Sequence, residues 1–274
     1  MRKFFMCLAI IIALMMIGGR ANAVPFGDGG VGLQTALNNI TLGPNPGVSS
    51  TNVLTDEVGD INDSYWSIHG SGGSVSTLVI EVAQWASTNT FGIFDQLNPV
   101  NRVQIFGGGA TSGSQALLSI LADGSIYINF VDTGIDFGGN TFGYYMDSTQ
   151  TPQPWTGGIW YSDTSLNVDG ADHMAAYKGK GIDTIQILPY SPGIWDKDEY
   201  VLAFEDLHSM HWGNGNGVDD NYPEWSDVEP DFTDFVVMVE SVDPHPPVPE
   251  PATLLLLGLG LVGVAGLNRK KFMG

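Results

Sequence analysis

Nine short apolar or alternating runs, each closed off by Gly, Asn, Asp or Pro, fill most of this chain and restrict it to strands. They are VSTLVIEVA (75–83), FGIFD (91–95), RVQIF (102–106), ALLSILADGSIYINF (116–130), FGYYMD (142–147), GIWYSD (158–163), DTIQILPY (183–190), YVLAFEDL (200–207) and FTDFVVMVESV (232–242). Runs of this length, regularly spaced between turn residues, have the pattern of an antiparallel sandwich. Asp123-Gly124 divides one run into two alternating halves, and a tight hairpin needs the positive φ values that such residues tolerate. Only GLQTALNNI (32–40) has a helical period. The predicted fold class is all-β, an antiparallel β-sandwich or jelly roll over 75–242, preceded by an irregular lead-in or edge strands over 24–74. One domain is expected, because all-β domains often reach this size as a single unit.

The ends of the chain follow different rules. Arg2 and Lys3 precede the apolar run FFMCLAIIIALMMIG, and Ala21-Asn22-Ala23 follows it. A charged, an apolar and a small-residue region in that order predict a secretory signal peptide over 1–23, with cleavage between Ala23 and Val24; an uncleaved N-terminal anchor is the alternative. Cys7 is the single cysteine and lies inside that signal, so the mature chain has no disulfide and is held by its core or by ions. At the other end, DPHPPVPEP (243–251) is a proline-rich linker, because closely spaced prolines cannot donate to a ladder and favour extended chain. An uncharged segment follows over 252–267. It is expected to be a transmembrane helix, though a short one, since a hydrocarbon core about 30 Å thick takes roughly twenty apolar residues. The last segment, 268–274, carries the basic cluster Arg269, Lys270 and Lys271, which the positive-inside rule places in the cytoplasm with the body outside.

Charge narrows the class of partner. The formal net charge is −20, and residues 24–248 hold only four cations, Arg102, Lys178, Lys180 and Lys197, against every acidic residue except Glu250. Such a body repels nucleic-acid phosphates and anionic headgroups and attracts cations. It is expected to fold, because it is rich in aromatic and β-branched residues and its mean hydropathy is slightly positive at +0.06, unlike disordered chains.

The acidity is densest in the last third. Glu205 and Asp206 end one run, and Asp219, Asp220, Glu224, Asp227, Glu229, Asp231 and Asp234 surround a Gly- and Asn-rich loop that leads into the next, with no Lys or Arg among them. Calcium-type cations take six to eight oxygen ligands, and a dication removes the mutual cost of ionising clustered carboxylates. The expected metal ligands are Glu205, Asp206, Asp219, Asp220, Glu229, Asp231 and Asp234, the cofactor calcium. A solvated acidic loop is the alternative. The loop is no EF-hand, for it lacks the twelve-residue alternation and flanking helices.

Other chemistry is less well supported. Gly258, Gly260 and Gly263 fit a dinucleotide-binding spacing, but they lie in the apolar tail with no strand before them and no acidic residue about twenty positions on. His208, His211 and His173 lack the Cys partners and the spacing of a zinc site. There is no Gly-x-Ser-x-Gly elbow or His-Glu-x-x-His helix. A glycoside hydrolase needs just two carboxylates, and their abundance here makes any single pair uninformative, so a non-enzymatic protein is expected. Trp155, Trp160, Tyr161, Trp195, Trp212 and Trp225 supply faces for stacking on sugar rings or for packing the core.

Two resemblances add to this. Phe204-Glu205-Asp206, followed by Asp231, Phe232, Asp234 and Val236, resembles the closing motif of an uncharacterised β domain of bacterial surface and extracellular proteins; Glu229 and Thr233 stand where Asp and Asn are usual. That resemblance spans about residues 91–242 and implies a β-sandwich with a calcium or carbohydrate role. Pro249-Glu250-Pro251, the apolar run and Arg269-Lys270-Lys271 resemble the PEP-CTERM sorting signal of Gram-negative bacteria that make exopolysaccharide. It implies recognition of the Pro-Glu-Pro region by an exosortase in the inner membrane, processing, and delivery to the cell surface or extracellular matrix; a permanent single-span anchor with no processing is the alternative. The combined expectation is an exported, calcium-binding adhesive or polysaccharide-associated module of a biofilm matrix. A secreted glycoside hydrolase and a purely structural matrix protein are the alternatives.

Overall fold

A computed structural model describes residues 32–59, 62–69, 73–80, 86–153, 155–209 and 232–245. The predicted signal peptide, Ala23 and Val24, the sorting residues Pro249 to Pro251, the segment 252–267 and Arg269 to Lys271 lie outside these residues. Among the described residues no helix is long and apolar enough to cross a membrane.

The described chain is mostly β, and its strands pair antiparallel throughout, as expected. One sheet has six strands: β16 (Val242–His245), β2 (Tyr65–Ile68), β9 (Thr141–Asp147), β4 (Thr90–Asp95) and β5 (Asn98–Phe106) in that order, with β10 (Ile159–Tyr161) also paired to β9. The other has seven, in the order β11 (Met174–Lys178), β14 (Glu199–Phe204), β15 (Phe235–Glu240), β3 (Ser74–Ile80), β6 (Gln115–Ile120), β7 (Ser125–Ile128) and β8 (Val131–Asp136). A third, small sheet joins β1 (Thr41–Gly43), β12 (Thr184–Ile185) and β13 (Gly193–Ile194). The predicted hairpin is the β6–β7 pair; Gly124 takes φ +94, and a Cβ there would stand 2.1 Å from the Phe137 carbonyl.

Part of the expected lead-in is inside a sheet, since β2 pairs with β9 on one side and β16 on the other. β16 in turn draws Asp243, Pro244 and His245, expected in the linker, into an edge position, where a proline without an N–H is tolerated. β11 reads as helix-former sequence, MAAYK, and is a strand because Met174 to Tyr177 are all buried, which overrides weak propensity.

The two large sheets share one core. Trp66, Phe91, Phe142, Tyr144 and Trp160 from the first meet Leu118, Tyr200, Leu202, Phe204, Phe235 and Val237 from the second. Phe91 joins them: its ring stacks on Tyr144 and on Phe235 at 5.5 Å each and meets Phe204 edge-on at 5.9 Å. Trp66 meets Tyr200 edge-on at 5.0 Å. On the far face of the first sheet Phe94 lies across Gly143, where a Cβ would stand 2.2 Å from the ring. The glycine is the recess that lets this aromatic lie flat.

The seven-stranded sheet is covered on its second face as well. The helix α1 (Leu33–Ile40) has apolar residues at 33, 36, 37 and 40, one stripe of a 3.6-residue period. With Ile185, Ile187 and Trp195 it packs on Val79, Tyr177, Val201, Ala203 and Val236. Trp160 and Trp195, candidate sugar-stacking faces by sequence, are 0% and 1% exposed and belong to these cores.

Phe91→Ala removes the ring common to both sheets and is expected to destabilise the protein by about 3–5 kcal/mol, read as a lowered urea midpoint. A loss below about 1 kcal/mol would mean that the sheets do not meet through this residue.

Candidate cation site and sorting tail

β14 and β15 are paired from Glu199↔Glu240 to Phe204↔Phe235, so the residues just past this last pair leave the sheet side by side. Those residues are Glu205 and Asp206 after β14 and Asp234 before β15. Their carboxylates each offer an oxygen within 4.8 Å of the others, and the residues are only 3%, 2% and 7% exposed. The structure thus brings together three of the seven carboxylates expected as ligands. Asp219, Asp220, Glu229 and Asp231 lie outside the described residues.

The backbone holds the cluster at close range. The Asp206 N–H donates to Asp234 Oδ2 at 2.9 Å, and the Leu207 N–H to Glu205 Oε1 at 3.3 Å. Asn89, fully buried, donates from Nδ2 to Asp206 Oδ2 at 2.9 Å. Its Oδ1 is buried with no hydrogen-bond partner among the described residues. Trp160 fixes the Asp206 peptide by donating from Nε1 to its carbonyl at 2.8 Å, beside a hydrogen bond from Ser148 Oγ to the same oxygen.

Behind Glu205 stands a buried histidine. His173 stacks on Trp160 with ring centroids 3.8 Å apart; its Nδ1 lies 3.1 Å from the Glu205 carbonyl and its Nε2 3.0 Å from Asp169 Oδ2. Burial holds His173 below the ordinary imidazole range, against the pull of Asp169. For Asp169 burial acts upward, but hydrogen bonds from His173 and the Ser209 amide outweigh it and hold the carboxyl below the usual range. His208 Nδ1 lies farther off, 3.6 Å from the same carboxylate oxygen. His173 and His208 thus both face the Asp169 carboxylate, and His211 lies outside the described residues.

No local pattern marks Asn89, Ser148 or Asp169, because each reaches the site from a separate strand end or loop far along the chain. Asn89 precedes an apolar run and is an ordinary turn residue by pattern. The set is chemically uniform: the donors offered to a ligand are oxygens, the first choice of calcium and magnesium and a poor one for soft metals.

Comparison with known proteins bears on the far end of the chain. Residues 247–270 match the family model of the PEP-CTERM protein-sorting motif. No curated protein and no solved structure matches the chain. The motif implies an exported protein that an exosortase sorts through a membrane-associated intermediate on the way to the cell surface.

Asp169 supplies a test of the scaffold. Because its folded carboxyl sits below the unfolded value, it stabilises the fold above about pH 4 and loses that contribution as pH falls further. Asp169→Asn is expected to lower the thermal midpoint at neutral pH, with the gap to the parent protein narrowing in acid. A gap constant from pH 7 to pH 3 would remove the ionised carboxylate from the account.

Proposed function

We propose that this chain is an exported β-sandwich, carried by a cleaved signal peptide and a C-terminal membrane-spanning segment to an exosortase, and placed on the surface or in the matrix of a Gram-negative cell. There it binds calcium and acts as a non-enzymatic adhesive or polysaccharide-associated module. The observation that carries the calcium reading is the convergence of Glu205, Asp206 and Asp234, buried and within 4.8 Å. Three carboxylates so close and so dry repel one another, and a dication turns that cost into binding energy.

The set fits a hard cation. Glu205, Asp206 and Asp234 would hold it, and the Asn89 amide, which already donates to Asp206, carries an Oδ1 with no partner among the described residues. Calcium supplies a positive charge that neutralises the cluster, joins the ends of β14 and β15 and attracts anionic sugars. The motif resemblance through Phe204-Glu205-Asp206 and Asp234 supports the same reading.

Calcium added to the full chain in nonionic detergent is expected to raise its thermal midpoint saturably, and Asp206→Asn with Asp234→Asn to abolish the rise. An unchanged midpoint in the parent protein sinks the ion site and leaves a structural matrix protein. Turnover of a glycan that disappears on substitution of one of these carboxylates would instead establish a hydrolase.

Sorting has its own measurement. Mass spectrometry of the native mature protein is expected to find an N-terminus at Val24 and a C-terminus near Pro249. A chain that keeps Arg269 to Lys271 is permanently anchored and has not been processed.

A further inference from the structure

A pocket of about 120 Å³ opens where the small sheet meets the outer face of the seven-stranded sheet. It lies at the opposite end of the β14–β15 pair from Glu205, Asp206 and Asp234 and does not depend on the calcium reading. Its back wall is one face of four adjacent strands. Glu199 stands directly across from Glu240, Met238 across from Thr77, and Thr77 across from Gln115. Gln115 Nε2 donates to Thr77 Oγ1 at 3.0 Å, which ties that side of the wall together. The cover is the 185–194 segment, with Ile185 and Ile187 as an apolar floor and Tyr190 at the rim.

Two carboxylates therefore face the same small space, and no basic residue among the described ones lines it. The cations of the described chain are engaged elsewhere: Arg102 lies over Tyr145, Lys178 over Tyr200, and Lys180 pairs with Asp56 at 2.6 Å. The stem of Lys197 lies beside Gly181, away from the pocket lining. One Glu199 oxygen, Oε2, accepts from the Asp196 N–H at 2.8 Å. An apolar floor under a cross-strand carboxylate pair suits a cation that carries hydrocarbon, because a bare dication would leave Ile185, Ile187 and Met238 without contacts.

We propose that this pocket binds a protonated primary amine on a short apolar stem, with the ammonium between Glu199 and Glu240 and the stem on Ile185, Ile187 and Met238. The ammonium has three donors for the two carboxylates, and such charge-assisted hydrogen bonds are the strong ones. Empty, the pair is costly. Burial, then the nearby Glu240, Asp196 and Asp198 charges, push Glu199 up to about 7 against the Asp196 N–H bond, and burial with Asp198 raises Glu240 as well. A carboxyl raised in the folded state stabilises the fold below its unfolded value and loses that contribution as pH climbs through about 7.

The test titrates n-butylammonium into the full chain in nonionic detergent by calorimetry. Saturable one-to-one binding is expected at pH 8, about tenfold or more weaker in Glu240→Gln and weaker again at pH 5, where Glu199 is protonated. The variant's fold is checked by its thermal midpoint at pH 8, which is expected to rise because a strained carboxylate has been removed. A lysine side chain in a blocked peptide is the second probe: affinity equal to that of butylammonium assigns a protein-borne amine, and weaker binding assigns a free one. Absence of saturable binding at pH 8, equal affinity in a folded Glu240→Gln protein, or displacement of the amine by equimolar calcium each overturns the proposal.

Discussion

The arrangement rests on β14 and β15 being dry on both faces, a constraint that the chain meets by giving one sheet two unlike covers. Tyr200, Leu202 and Phe204 point into the aromatic core shared with the six-stranded sheet, and Val201 and Ala203 point under α1 and the small sheet. Strands buried on both sides are near-continuous apolar runs, and polar residues are displaced to their ends. Both acidic sites follow from this. Glu199 and Glu240 close the pair at one end, and Glu205, Asp206 and Asp234 close it at the other. The charged chemistry of the protein is therefore built at the two ends of a strand pair buried on both faces, where packing fixes geometry that a loop would leave to solvent.

The second cover also explains residues that look misplaced by pattern. Asp183 is buried beneath the small sheet, yet it accepts from Ser49 Oγ at 2.9 Å and the Ser50 N–H at 2.8 Å. Lys180 reaches Asp56 and the Ser50 carbonyl, and that ion pair, led by the hydrogen bond from Lys180, holds Asp56 below the usual carboxylate range. These contacts tie the irregular 45–57 segment to the 180–185 segment. Residues without regular pairing of their own thus become part of the sheet's cover.

Much of the fold could be read in the sequence, since apolar alternation between turn residues survives burial on either face. The β6–β7 hairpin and α1 fall where Asp123-Gly124 and the 33, 36, 37, 40 stripe put them. What escaped carried no apolar alternation to read. β8 alternates between exposed and half-buried residues and lacks an apolar signature, and β11 has the composition of a helix. The candidate site was legible only in its carboxylates. Its supports, Asn89, Ser148, Trp160 and the Asp169–His173 pair, converge through tertiary structure, and a local pattern has no way to announce that Trp160 serves the Asp206 peptide rather than a sugar.

Pro244 in β16 gives the sorting tail an unexpected constraint. The edge strand is hydrogen-bonded to β2 as far as His245↔Tyr65, and the Pro-Glu-Pro triplet begins at Pro249. Four residues of fully extended chain span at most about 14 Å. On the proposed route, an enzyme that reads Pro249 to Pro251 would work close beside a folded, strongly negative body. On that route the edge of the sheet would act as a ruler, since folding limits how far the triplet can stand from the body, and an incompletely zipped β16 would present a longer leash.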